Sequence, residues 1–183
     1  MKIKYATALT ALGAAFPVAA ADMTVKVDIP RLNVAEYHRP YVALWVEKAD
    51  QTFVSNLAVW YDLKMRNNEG TKWLKDMRAW WRKSGRELDM PVDGISGATR
   101  APGEQTVQFG NKDEFSKLAP GQYQLVVEAA REVGGRELVK VPFEWPPKAV
   151  KTSKSTGTHE LGAVSLTVKP WFESLFKRLF KRI

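Results

Sequence analysis

The sequence predicts a mainly β protein, an antiparallel β-sandwich with one amphipathic helix inserted and a short basic amphipathic helix at the C-terminus. The main observation is a series of seven short segments that alternate or are rich in β-branched and aromatic residues, with turn residues between them. Such a series is typical of a two-sheet sandwich. The predicted strands span residues 24–29, 41–47, 53–61, 105–109, 122–130, 138–143 and 161–168.

Turn residues separate the predicted strands. Residues 48–51 indicate a hairpin between the second and third strands. The pair Gly134 and Gly135 predicts another hairpin, because glycine adopts turn conformations that other residues rarely adopt. The next strand is stopped by the Pro-Pro pair that begins at Pro146, since proline cannot donate to a sheet ladder. The polar segment 148–157 then predicts a flexible connection.

One helix is predicted between the third and fourth strands. Its apolar side chains recur at helical spacing and basic residues fill the other face, which predicts that the indoles of this stripe are buried. The stripe consists of Trp73, Leu74, Met77, Trp80 and Trp81. Thr71 is the predicted N-cap and Gly85 the predicted residue just beyond the C-cap.

The N-terminus has the features of a secretory signal peptide. A short basic start precedes an apolar, alanine-rich run that ends in small residues, as a signal peptidase requires. This run is too short for a good membrane span. The sequence therefore predicts a signal peptide over residues 1–21, cleavage between Ala21 and Asp22, and a periplasmic protein whose single domain covers residues 22–170.

The positive charge of the chain is concentrated at its ends. The formal net charge is +8, but two lysines belong to the signal peptide and four basic residues to the tail at residues 171–183. A mildly basic domain and export both argue against a nucleic-acid partner. In the tail, one helical face is apolar and aromatic and the other basic, which suits an anionic membrane surface or the groove of a partner. Packing against its own domain is the alternative.

Residues 93–99 read Asp-Gly-Ile-Ser-Gly-Ala-Thr and are the most informative stretch of the chain. Two glycines and an alanine leave the backbone open to another molecule. This frame presents the hydroxyls of Ser96 and Thr99, with the carboxylate of Asp93 nearby. Such a segment suits docking into the active site of another enzyme, and a glycine-containing surface turn is the alternative.

The heptapeptide resembles the flavin-attachment motif of proteins that carry FMN as a phosphoester on threonine, such as subunits of the sodium-pumping NADH:quinone reductase. The acceptor is the last residue of that motif, which here is Thr99, and Ser96 is the weaker candidate. The resemblance implies that an exported FAD-dependent FMN transferase binds Mg²⁺, supplies the base and leaves FMN on the threonine.

The neighbours of Thr99 have roles implied by the same resemblance. Asp93 serves recognition or organises the turn, and an Asx-turn before the following glycine is its structural alternative. Gly97 belongs to the open frame of the cofactor-binding segment. Arg100 is placed to pair with the FMN phosphate, with a solvated arginine as the alternative.

Nearly all of residues 22–170 also resembles a family of exported bacterial proteins long known only as of unknown function. Its members look like immunoglobulin-like sandwiches and are associated with flavinylation. The residues that carry this resemblance are 40–47, 57–60, 72–74, 80–81, 93–100, 102–103, 120–123, 130–132 and 134–135. Val133, where a polar residue or histidine is expected, and the basic tail depart from the family.

These resemblances imply an exported electron carrier that is the substrate of an FMN transferase. It would pass electrons between a membrane flavin or haem reductase and an extracytoplasmic acceptor. The alternative is a cofactor-free periplasmic adaptor that binds a membrane protein. The sequence argues against two other kinds of site. With no cysteine and only two histidines, a metal site is disfavoured. A hydrolase with a nucleophile elbow is also disfavoured, because Ala98 stands where that motif needs its second glycine.

Overall fold

A computed structural model describes residues 21–110 and 118–170, and within them nine strands form two sheets. The strands are β1 (Ala21–Ile29), β2 (Tyr41–Lys48), β3 (Phe53–Tyr61), β4 (Ser96–Ala98), β5 (Gly103–Phe109), β6 (Gly121–Ala130), β7 (Arg136–Trp145), β8 (Lys151–Thr156) and β9 (Ala163–Pro170). One sheet has the order β5-β1-β9-β8 and the other the order β4-β3-β2-β6-β7. The predicted β-sandwich is confirmed.

All seven predicted strands are present, and both predicted hairpins join the strands expected. Two strands were not predicted. One is β8, so the flexible connection predicted at residues 148–157 is wrong where β8 pairs with β9. The other is β4, which pairs with β3 in parallel and makes the second sheet mixed. Both are short or polar edge strands, which lack the apolar alternation that identifies half-buried strands.

The insertion between β3 and β4 is helical but is not one α-helix. A 3₁₀ segment spans Arg66–Asp76 and is interrupted by a kink at Asn67 and Asn68, whose φ values are 53° and 56°. It is followed by α1 (Arg78–Lys83) and a short 3₁₀ helix at Gly85–Glu87. Leu74, Met77 and Trp80, three residues apart as in a 3₁₀ turn, are buried in one cluster, and Trp81 packs against it, so most of the predicted stripe is confirmed. Trp80 is fully buried, whereas Trp73 is 44% exposed, so its predicted burial is wrong.

The predicted ends of this helix are also partly corrected. The first 3₁₀ helix begins before Thr71, whose hydroxyl donates to the carbonyl oxygen of Asn68, so Thr71 is not the N-cap. Gly85 does follow the C-cap residue of α1, as predicted. A side chain at Gly85 would collide with the ring of Trp80, so close packing against this indole requires the glycine.

Both faces of the five-stranded sheet are covered. Its inner face packs against the four-stranded sheet in a core that includes Leu44, Trp60 and Val127. Its outer face packs against the insertion in a second cluster that includes Trp45 and Trp80. No helix of the described residues is long and apolar enough to cross a membrane. The basic tail and all but the last residue of the predicted signal peptide lie outside the described residues.

Candidate functional site

The short strand β4 fixes the position of Thr99. Its parallel pairing with β3 places Tyr61 opposite Ala98, the residue before Thr99. The backbone N–H of Thr99 then donates to the carbonyl oxygen of Tyr61 at 3.1 Å and extends the pairing by one residue. Part of the heptapeptide is therefore the edge of a sheet rather than an open loop, and Thr99 lies where the chain leaves that edge.

A carboxylate stands beside the hydroxyl of Thr99. Because β3 also ends at this point, Asp62 follows Tyr61 and lies next to Thr99, and the Thr99 hydroxyl donates to Oδ1 of Asp62 at 3.3 Å. The resemblance assigned the base to the transferase, and the structure adds a carboxylate of this chain beside the acceptor. Asp62 is 37 residues away in sequence, so only the unpredicted β3–β4 pairing brings the two together.

A tight turn precedes β4, and Ser96 closes it. The backbone N–H of Val92 donates to the Ser96 hydroxyl oxygen at 2.9 Å, and the Ser96 N–H donates to the Val92 carbonyl oxygen at 2.9 Å. Gly94 has a φ of 72°, which side-chain-bearing residues rarely adopt. The exposed Asp93 lies within this turn. The Ser96 hydroxyl thus has a structural use, whereas Thr99 lines the cavities described next.

Arg100 and Gly97 lie against Trp60. The guanidinium carbon of Arg100 stands 5.2 Å from the centroid of the indole, a cation–π arrangement. A methyl group at Gly97 would lie 3.2 Å from a ring carbon of Trp60, so glycine allows β4 to lie close to the indole. The side chain of Arg100 therefore already has an aromatic partner, a contact that the sequence did not predict.

Two cavities meet at Thr99. The first has a volume of about 360 Å³ and is lined by Tyr37, His38, Arg39, Tyr41, Asp62, Trp73, Asp76, Thr99, Ala130, Arg131 and Glu132. It forms where the start of β2 and the ends of β3 and β6 meet, below the insertion. The second has a volume of about 310 Å³ and includes Leu63, Lys64 and Met65. Arg39, Asp62 and Thr99 line both. We call the first the aromatic cavity and the second the outer cavity.

Two tyrosine hydroxyls in the wall of the aromatic cavity make no hydrogen bond of good geometry with the described residues, although the hydroxyl of Tyr41 also interacts with the backbone and the carboxylate of Asp62. They belong to Tyr37 and to Tyr41, whose residue is only 8% exposed. Burial, with a further contribution from the negative charge of Asp62, raises the pKa of Tyr41 to about 12. Burial also raises the pKa of Tyr37. Both side chains are therefore neutral phenols with a hydrogen available to donate.

Some of the charged residues of the aromatic cavity have partners within the protein. Arg131 makes two bonds to Glu160, at 2.9 and 3.0 Å, and both side chains are nearly buried. This pairing raises the pKa of Arg131. His38 lies 3.5 Å from Glu132. Arg39 is exposed, and it is the cationic residue that lines both cavities at Thr99.

Gly70 fixes the loop that carries Asp62. A methyl group at Gly70 would overlap the carbonyl oxygen of Asp62, so the insertion touches the backbone beside the site. This contact places the insertion, and with it Trp73, over the end of β3. Across residues 21–110 and 118–170, no three histidine, aspartate or glutamate residues are arranged to hold a metal ion.

Comparison with known proteins assigns the chain to an exported family. The sequence profile of a family described as predicted periplasmic protein (DUF2271) matches residues 22–163, which is most of the chain. No curated protein and no solved structure matches the chain significantly. The match confirms the predicted resemblance to an exported family and the predicted periplasmic location.

Proposed function

Since the chain belongs to the DUF2271 family of predicted periplasmic proteins, we propose that it is an exported flavoprotein with FMN bound covalently to Thr99. The observation that supports this most directly is the position of the Thr99 hydroxyl. It stands at the junction of two cavities, beside a carboxylate, and at the end of a strand that holds its backbone. Another enzyme can reach this hydroxyl, and a cofactor attached there has adjoining space.

The attachment is a group transfer from FAD. The Thr99 oxygen bonds to the phosphorus of the FMN half, the phosphoanhydride bond breaks, and AMP leaves with the electrons of that bond. The hydroxyl proton passes to a base. Threonine is not nucleophilic without such a base or a metal ion, and the transferase would supply the Mg²⁺. Asp62 accepts the Thr99 hydrogen bond and so directs an oxygen lone pair away from itself.

The residues around Thr99 fit a phosphoester. Arg39 lines both cavities that contain Thr99, and an arginine can bind phosphate oxygens with two parallel hydrogen bonds. This makes Arg39 a second candidate beside Arg100 for the phosphate contact. The negative charge of Asp62 repels a phosphate on Thr99. The positive charge of Arg39 would offset this repulsion.

Bound FMN supplies one- and two-electron transfer, which this chain's own side chains do not provide. The protein holds the flavin and keeps it near the surface, where a membrane flavin or haem reductase and an extracytoplasmic acceptor can approach. The edge position of β4 and the exposure of Arg100 agree with such access. We therefore propose extracytoplasmic electron transfer as the function of the flavinylated protein.

Intact-mass spectrometry tests the attachment. The protein is produced with and without an exported FMN transferase, and a covalent adduct at a hydroxyl adds about 438 Da, the mass of FMN less one water. Thr99→Val removes the nucleophile while keeping the shape of the side chain, and it should abolish the adduct. Ser96→Ala is the matched control, because it removes the other hydroxyl of the motif and should retain the adduct.

Other outcomes redirect the proposal. An adduct that persists in Thr99→Val and disappears in Ser96→Ala moves the acceptor to Ser96. The absence of any adduct with several active transferases contradicts the flavoprotein proposal and favours the cofactor-free adaptor. Covalent attachment can also be detected without a mass spectrometer, as a yellow colour that stays with the protein after acid precipitation.

A further inference from the structure

We propose that the aromatic cavity is the docking site for the isoalloxazine ring of the FMN on Thr99, so that the flavin rests against its own protein. This inference depends on the proposed function for the covalent bond to Thr99. It adds the residues that receive the ring, namely Tyr37, Tyr41 and Trp73. A ring that swings freely in solvent is the competing arrangement.

The first argument is position and size. Thr99 is itself part of the cavity wall, so a phosphoester there begins at the cavity rim. The volume of about 360 Å³ falls in the range of pockets that take small-molecule ligands and cofactors. The five-carbon ribityl chain between phosphate and ring separates the ring from the attachment point, so the ring can lie within the cavity rather than at its rim.

The second argument is the chemistry of the wall. Tyr37, Tyr41 and Trp73 present three aromatic side chains to the same space. Trp73 is 44% exposed although tryptophan is usually well buried, so its indole has a face not covered by the domain. Stacking of aromatic systems contributes about 0.5–1.5 kcal/mol per pair beyond the area that it buries.

The third argument is the pair of unpartnered hydroxyls. A buried hydroxyl without a hydrogen bond is costly, and such groups are rare in folded proteins. Tyr37 carries such a hydroxyl in the wall of this cavity, and the hydroxyl of Tyr41 has only a poorly aligned interaction with Asp62. The isoalloxazine edge has carbonyl oxygens and ring nitrogens that accept hydrogen bonds, so a docked ring would give these two donors better partners.

The outer cavity is the less suitable of the two. Its wall includes Leu63, Lys64 and Met65, and its aromatic residue is Tyr61, which is fully buried. It therefore offers fewer aromatic faces to a ring, and it presents one tyrosine hydroxyl without a hydrogen bond of good geometry, that of Tyr61, where the aromatic cavity presents two. Because it shares Arg39, Asp62 and Thr99 with the aromatic cavity, it provides a matched control on the other side of the same acceptor.

Flavin fluorescence distinguishes a docked ring from a free one, since a tryptophan or tyrosine in contact with isoalloxazine quenches its emission. The experiment uses protein whose single FMN adduct has been verified by intact mass. We expect emission several-fold weaker than that of free FMN and a visible circular dichroism band. Trp73→Leu and Tyr41→Phe should each raise the emission several-fold, and Tyr41→Phe keeps the ring shape. Met65→Leu, in the outer cavity, should leave the emission unchanged.

The proposal is overturned if the attached ring emits like free FMN, or if Met65→Leu changes the emission while Trp73→Leu does not.

A second measurement does not need the covalent bond. Apo protein carrying Thr99→Val is titrated with riboflavin, which has the ring and ribityl chain but no phosphate. Saturable quenching that weakens several-fold in Trp73→Leu supports the cavity as a ring site. If no FMN adduct forms on the wild-type protein, the proposed function fails, and the titration alone decides the ring site, with no saturable quenching overturning it.

Discussion

Two polar regions lie on the outer face of the five-stranded sheet, and they differ in how their polar groups are satisfied. At the first, the fully buried Glu128 of β6 accepts the backbone N–H groups of Ala79 and Trp80 at 3.0 and 2.8 Å and a bond from Arg136 at 2.7 Å. At the second, around the start of β2, the hydroxyls of Tyr37 and Tyr41 make no hydrogen bond of good geometry within the described structure.

The difference separates a structural polar group from a candidate binding group. Glu128 ties the start of α1 to the sheet and therefore holds the insertion in place. A buried charge with this number of partners is costly to disrupt. Tyr41 contributes to the fold through its ring, which packs in the outer cluster and against the ring of Tyr61. The hydroxyls of Tyr37 and Tyr41 are nevertheless candidates to bind a ligand that enters the cavity. The predictions that follow test this contrast from the largest expected effect to the smallest.

Glu128→Ala should lower the free energy of unfolding by about 3 kcal/mol, because two backbone N–H groups of α1 lose their acceptor in a buried position. Tyr41→Phe should change it by less than about 1 kcal/mol in either direction, since its hydroxyl makes no well-aligned hydrogen bond within the described residues. Urea unfolding of the two apo variants measures both. A cost for Tyr41→Phe as large as that for Glu128→Ala would erase the contrast.

A second carboxylate with several hydrogen-bond donors, that of Glu137, predicts how the stability of the protein depends on pH. Glu137 accepts the backbone N–H groups of Thr158, His159 and Leu161. Burial opposes the charge, but these bonds prevail and lower the pKa of Glu137 from 4.5 to about 2. Its contribution is therefore present above pH 4.5 and is lost as pH falls towards 2. Because Glu137 is partly exposed, solvent weakens the effect of its bonds. About 2 kcal/mol of the free energy of unfolding should be lost over that window.

Glu137→Gln provides the test of that assignment. The variant should be less stable than the wild type at neutral pH and should lose less stability on acidification between pH 4.5 and 2. Glu144→Gln on the same strand, β7, is the control and should keep the acid dependence of the wild type. Equal acid dependence in wild type and Glu137→Gln would contradict the assignment.

Much of the fold was predictable because its strands carry strong local signals. The alternating segment of β1 and the apolar runs of β2 and β6 identify themselves by composition. The edge strands β4 and β8 do not, because their pairing depends on a neighbouring strand rather than on their own residues. The 3₁₀ geometry of the insertion was missed because the apolar spacing of its residues also fits an α-helix.

The candidate site was predictable only in part. The heptapeptide indicated Thr99, but neither Asp62 nor Arg39 has a sequence signal of its own. Their place beside Thr99 results from the parallel β3–β4 pairing and from the meeting of strand ends across the sheet. The exposure of Trp73 also could not be read from its spacing, since it depends on the turn geometry of the insertion.

Asp62→Asn should slow flavinylation by about tenfold, because the variant no longer orients the Thr99 hydroxyl by a charged acceptor. The initial rate of adduct formation with a purified transferase measures this at fixed FAD and Mg²⁺. Asp76→Asn is the matched control, since it removes another exposed carboxylate from the same cavity without touching Thr99. If both variants slow the reaction equally, Asp62 acts through general charge and not through its bond to Thr99. Melting temperatures should be nearly unchanged in both.

The smallest expected effect concerns Val133, at the tip of the hairpin that borders the aromatic cavity. This residue is 82% exposed and has a φ of 52°, a left-handed conformation that strains a β-branched side chain. Asparagine tolerates that conformation, so Val133→Asn should stabilise the apo protein by about 1 kcal/mol and raise its Tm by about 3 °C. Val34→Asn, which replaces another exposed valine without a positive φ, should change the Tm little. Equal shifts in the two variants would mean that removing exposed apolar surface, and not relief of strain, sets the effect.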